Sequence, residues 1–214
     1  MELKSEAKKP SEKVEFIDTE QERVSHSILL ERSSFRIALI STFTALAIVL
    51  GYLLAYIPNI ELFTLTIFLS GFILGKRDGI IVGFLSSLIF CFFNPLGASP
   101  LPLLTFQLIH YSITGLVGSL SNTYLKKKDF FNPNKDLYIF FVMAFFGVLG
   151  ALITLTFQIL STLGYTFSYV GTINGFLPVF LTNIAFTAIH IIGNTLGFIF
   201  ILPGLIQLIN RMLH

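Results

Sequence analysis

Past Arg36 the chain carries only four acids (Glu61, Asp78, Asp129, Asp136) and seven bases, and they fall at the breaks between long apolar runs. A charge buried in hydrocarbon is costly, so this pattern constrains the fold more than any motif does: uncharged runs cross a bilayer and charges sit in the connections. Six runs qualify, at 36–57, 62–75, 79–93, 101–125, 137–162 and 176–203. A helix of about 20 apolar residues crosses the hydrocarbon core. The second and third runs are short for that, and a re-entrant pair is their alternative. Charge decides between the two. With the N-terminus inside, Arg32, Arg36, Lys76, Arg77, Lys126, Lys127, Lys128, Lys135 and Arg211 all fall on the cytoplasmic side. The opposite connections, 57–61, 94–100 and 164–175, hold no Lys or Arg. This positive-inside asymmetry needs the "KRD" turn at 76–78 to face the cytoplasm, so both short runs cross. The expected fold is an all-α integral membrane protein. It is a six-transmembrane-helix bundle in the cytoplasmic (inner) membrane, with both termini cytoplasmic.

The first 33 residues are polar, mixed in sign and poor in aromatics, which predicts a disordered, charged cytoplasmic tail. Residues 34–214 form the membrane domain. The N-terminus lacks the basic start and immediate apolar core of a cleavable signal, so the first span is expected to act as its own insertion signal. Hydrophobic residues make up 54% of the 214, with 24 Phe, which leaves no soluble domain to bind nucleic acid. Cys91 is the only cysteine, so no intramolecular disulfide can form.

The stretch "FFNPLGASPLPLLTFQ" at 92–107 breaks two apolar runs with Asn-Pro, Gly and two further prolines. Irregular backbone is tolerated where water satisfies it or where it lines a cavity, which suits the outer connection before the fourth span. Polar side chains inside the membrane should point into the bundle. In the sixth span Asn183, Thr187, His190 and Asn194 step by four, three and four, placing them on one helical face. The fourth span presents Gln107, His110, Tyr111 and Thr114 along one side, and the fifth adds Gln158. With Asn59, Glu61, Asn94, Tyr165, Tyr169 and Asn174 from the outer connections, these residues could line a polar, aromatic-walled cavity open to the outside. Glu61, Asn94 and Gln107 are expected to cluster near the outer face, within reach of a solute. His190 and Asn194 lie deeper and read as structural, and Gln158 reads as an interhelical hydrogen-bond partner. Glu61 can equally be a carboxylate at the N-terminus of the second helix, stabilised by its dipole.

Small residues form a second pattern. Ala38-xxx-Thr42 and Ser41-xxx-Ala45 lie near the cytoplasmic end of the first span, and Ala47, Gly51 and Ala55 lie further out. Gly79-xxx-Gly83, Gly115 and Gly118 follow in the third and fourth spans, a spacing that lets helices approach closely. The run "GFILGKRD" has only three residues between its glycines and is not a phosphate loop. Metal-ligand spacing and a Gly-x-Ser-x-Gly elbow are absent, so no cofactor and no enzymatic activity are expected.

Taken in order, "PNIELFT" at 58–64, the "G…GKRDG…G" turn at 71–83, and "NPLG" followed by a membrane glutamine resemble the substrate-binding S components of energy-coupling factor transporters. The resemblance spans roughly residues 34–205. It implies a protein that captures a vitamin or related micronutrient from outside. It also implies partners, a transmembrane T component and two ABC-type ATPases that hydrolyse the ATP. The pocket would then draw on Asn59, Glu61, Asn94, Gln107, His110, Tyr165, Tyr169, Asn174 and Asn183. The family's small-residue docking face on the first helix would correspond to Ala38, Ser41, Thr42 and Ala45, although a strict Ala-x-x-x-Ala is missing. Two other readings stay open from the residues alone: a self-sufficient small carrier or channel, and a structural assembly protein.

Overall fold

A computed structural model describes residues 33–55, 57, 61–94 and 97–213. The segment expected to be a tail lies outside them apart from Ser33, as does Asn59. All regular structure among the described residues is helical. The order is α1 (Ser33–Leu54), α2 (Phe63–Leu74), α3 (Lys76–Phe92), α4 (Leu101–Leu125), α5 (Phe140–Tyr165), α6 (Phe176–Thr182), α7 (Ile184–Phe200) and α8 (Leu202–Leu213). A π-helical turn, Thr166–Val170, extends α5 and ends at Gly171, whose φ of 77° is left-handed. Among the described residues four stretches are long and apolar enough to cross a membrane: Ser33–Leu54, Leu101–Leu125, Phe140–Val170 and Ile184–Met212.

The second expected span is a different object. Its 12 residues reach about 18 Å, short of the ~30 Å hydrocarbon core. Every residue from Phe63 to Phe72 is buried, enclosed by α1, α3 and α4 and touched by α7 and α8. A helix apolar all round belongs in an interior. Here Phe68 and Phe72 pack edge-on to Phe146, and Phe68 also meets Phe198.

The expected sixth span, 176–203, is not one helix. Asn183 takes φ −97° and ψ 10°, and its side-chain amide donates to the Val179 carbonyl at 2.9 Å. A short polar side chain that bonds local backbone competes with the helix, and α6 ends there. A second break falls at Ile201, because Pro203 lacks an N–H and disfavours continuous helix through the preceding turn.

Glycines explain why α2, α3 and α4 pack so tightly. A methyl on Gly71 would be driven into the Gly115 carbonyl oxygen, one on Gly115 into that of Gly79, and one on Gly83 into that of Tyr111. The backbones are therefore in direct contact. Gly75, with φ 98°, makes the turn from α2 to α3 that an L side chain would strain.

Cross-helix contacts fix the directions. Arg36 in the first turn of α1 forks onto the buried Asp78 at the start of α3, with Nη2 at 2.9 Å from Oδ1 and Nε at 3.0 Å from Oδ2. At the other end of this parallel pair, Gly51 meets Phe90. α4 runs antiparallel to α3 and to α5, where Gly164 meets Leu103. Gln207 of α8 donates to the Lys135 carbonyl at 2.6 Å, and the Tyr138 hydroxyl to that of Phe200 at 2.8 Å. Arg36, Lys76, Arg77, Lys126–Lys128, Lys135 and Arg211 therefore gather at one end of the bundle. The connections at 97–100 and 166–175, with no Lys or Arg, lie at the other.

Candidate functional site

Towards the uncharged end, α4, α5 and the α6–α7 break enclose a cavity of about 630 Å³. Gln107 enters it from α4, Gln158, Ser161 and Tyr165 from α5, and Asn183 and Phe186 from the break, with Phe157 as part of its apolar wall. None of the lining residues is charged. Two of its polar atoms, Gln107 Oε1 and Ser161 Oγ, are buried without a hydrogen-bond partner. Buried polar atoms are nearly always paired, so each is a hydrogen bond left open in the cavity wall, one that a turn of its side chain would present to a bound molecule.

Gln158 connects the cavity to a buried polar chain. Its Nε2 lies 2.8 Å from His190 Nδ1. The opposite ring nitrogen, Nε2, lies 3.3 Å from Glu61 Oε1, and Asn194 Nδ2 lies 3.3 Å from the same oxygen. Thr64 also donates to Glu61. Asn194 Nδ2 further donates to Thr154 Oγ1 at 3.0 Å. The register between α5 and α7 causes this convergence. Gly150 sits against Phe198, so Thr154 meets Asn194 and Gln158 meets His190, each step of four along α5 matched by four back along α7. Glu61 precedes α2, and because α2 is short its carboxylate reaches His190 and Asn194 of α7 inside the bundle rather than the bundle's mouth.

The expected pocket residues therefore separate. Gln107, Tyr165 and Asn183 line the cavity. Glu61 lies inward from it, against His190 and Asn194, rather than beside Asn94 and Gln107 at the outer face. His110 is buried at the back, with Thr114 Oγ1 3.3 Å from its Nε2 and its ring 5.3 Å from that of Phe157. Tyr169 is exposed and packs at a tilt of 39° against Tyr165, with ring centroids 4.6 Å apart. Asn174 is exposed in the 3₁₀ turn. Asn94 is half-buried in the outer connection, where its carbonyl accepts from the Gly97 N–H. Ser161, not singled out in the sequence, also lines it, and Gln158 both lines it and makes the interhelical contact expected of it. The signal that could have found the buried chain was present: one intramembrane acid and a helical face carrying His190 and Asn194.

Ala38, Ser41, Thr42 and Ala45 are all exposed on the face of α1 turned away from the bundle, whereas Ala47 and Gly51 are buried against it. Among the described residues no group of three His, Cys, Asp or Glu side chains could hold a metal ion. Comparison with family models, with curated proteins and with solved structures returns no match.

Proposed function

We propose that the chain is the substrate-capturing subunit of an energy-coupling factor importer, crossing the cytoplasmic membrane six times with both termini inside. It takes a vitamin-like micronutrient from outside into the cavity between α4, α5 and the α6–α7 break. The observation that carries this reading is the pair of unpartnered polar atoms, Gln107 Oε1 and Ser161 Oγ, in an uncharged cavity at the end of the bundle without Lys or Arg. An outward orientation of that end follows from the positive-inside rule. The missing nucleotide motif suits a subunit energised by partners, and the exposed small residues of α1 offer those partners a face for close approach.

The test is mass spectrometry of the small molecules released by heat or acid from the detergent-purified protein. A stoichiometric compound is expected. Gln107→Leu should lose most of it while the empty protein melts at the same temperature or higher, because the exchange removes an unpaired buried polar atom. An empty wild-type preparation with no thermal stabilisation across a vitamin panel would overturn the reading. One observation favours a second reading, a self-sufficient carrier: the Gln158–His190–Glu61 chain runs from the cavity into the bundle's centre. Uptake into proteoliposomes containing this chain alone would select it.

A further inference from the structure

From the donors and acceptors of the buried chain we infer that the cavity is built to receive an uncharged ligand that presents N–H donors, because Glu61 and His190 fix Gln158 with its carbonyl oxygen towards the ligand. The inference rests on the capture reading above and specifies what is captured.

The polarity can be followed from one fixed group. The Gly150 carbonyl can only accept, and the Thr154 hydroxyl donates to it at 2.8 Å. That uses the hydroxyl's only proton, so Thr154 Oγ1 must accept from Asn194, which therefore turns its NH₂ inward. The second hydrogen of that NH₂ goes to Glu61 Oε1, which also accepts from the Thr64 hydroxyl. An oxygen already accepting from both leaves His190 Nε2 the donor's role towards it. His190 Nε2 and Asn194 Nδ2 are then two donors aimed at one acceptor, and their 3.2 Å separation is a contact, not a bond. With its proton directed from Nε2 at Glu61, His190 turns Nδ1 to Gln158, and the Gln158 atom that faces it is the amide nitrogen Nε2. Gln158 gives Nδ1 an N–H across the 2.8 Å between them. One end of the Gln158 amide is thereby committed, and its carbonyl oxygen, with no protein partner among the described residues, is left to the cavity.

Gln107 adds a second amide carbonyl with no donor. The lining thus holds the amide carbonyls of Gln107 and Gln158, with the hydroxyls of Ser161, Thr162 and Tyr165 able to serve in either role. No charged side chain lines it, so an ionic ligand would enter without a counter-charge. A site whose buried acceptors await donors discriminates against an analogue that lacks them, because its own groups are then left unpaired. Glu61, His190 and Asn194 do not line the cavity. They are positioning residues that act through Gln158.

Two measurements on the full-length protein in detergent test this. The first is the ¹⁵N spectrum of histidine-labelled protein, with His190 assigned by its loss in His190→Gln. An unprotonated Nδ1 and a protonated Nε2 are expected, and the reverse tautomer would overturn the inference whatever the protein transports. The second is thermal stabilisation by 2-quinolone and by N-methyl-2-quinolone, uncharged flat rings that differ in a single N–H. The N–H compound should bind roughly tenfold tighter, the scale of one buried hydrogen bond, and Gln158→Leu should narrow that ratio. Equal or tighter binding of the methylated ring, or binding of neither at millimolar concentration, overturns the donor requirement. The capture reading fails separately, through the absence of any co-purifying compound.

Discussion

Glu61 shows how far one side chain can organise its surroundings. Thr64, His190 and Asn194 all direct donors at its carboxylate, and two of the three, His190 and Asn194, come from the far side of the bundle. Removing the acceptor strands those donors. Each buried group left unpaired costs roughly 1–3 kcal/mol. Glu61→Leu should therefore destabilise the protein by about 3 kcal/mol, whereas Glu61→Gln keeps an acceptor oxygen and should cost about 1 kcal/mol. Thermal melts followed by circular dichroism in one detergent would rank the two. Leucine equal to glutamine would mean that the carboxylate does not hold the network together. Sequence spacing alone located His190 and Asn194 of α7 on a common face. It could not locate their partner, because the position of Glu61 depends on how short α2 is and how deeply it is enclosed.

At the scale of elements, the glycines of α2, α3 and α4 set the closest approach in the molecule. A methyl on Gly115 meets the Gly79 backbone, which has no rotamer through which to yield. Gly115→Ala should cost about 3 kcal/mol, the upper end of the overpacking range. Gly197→Ala is the control, since its methyl would rest 3.5 Å from Leu65 Cδ1, an ordinary contact, and a helix gains up to ~1 kcal/mol from alanine over glycine. Equal melting temperatures for the two variants would deny that α2, α3 and α4 meet backbone to backbone. The turn at 76–78 and the small-residue spacing around it were legible in the sequence because glycine and charge patterns are local. The fourth run kept its expected bounds of 101–125 because the prolines before it and the lysines after it are local stops. The break at Asn183 was not legible. An asparagine in an apolar run can either bond across helices or bond its own backbone, and only the packing decides. Likewise a short apolar run does not reveal whether lipid or protein surrounds it. For α2 the answer is protein on every side, which is why an acid, Glu61, can stand two residues before it.

For the whole molecule, the question is whether the cationic end and the cavity end lie on opposite sides of a membrane with α2 and α3 between them. Arg36 lies in the first turn of α1, and its fork onto Asp78 ties the 76–78 turn to the end from which α1 starts. α1 is 22 residues, about 33 Å, so that end stands a full bilayer core away from Leu54. Glu61 lies inside the bundle against His190 and Asn194, and α2 needs only the remaining depth to reach the turn. Six crossings are the proposed count, whereas among the described residues four stretches are long enough to cross by themselves. Labelling with a membrane-impermeant maleimide tests this on a Cys91→Ala background, carrying Arg77→Cys, Lys127→Cys, Ser168→Cys or Arg211→Cys one at a time. Ser168→Cys should react on intact cells, and the other three only after lysis. A re-entrant α2–α3 pair would leave Arg77→Cys unreactive on both sides, with the turn held at mid-depth. An inverted bundle would exchange the two groups and turn the cavity between α4, α5 and the α6–α7 break towards the cytoplasm, where a subunit that captures from outside could not use it.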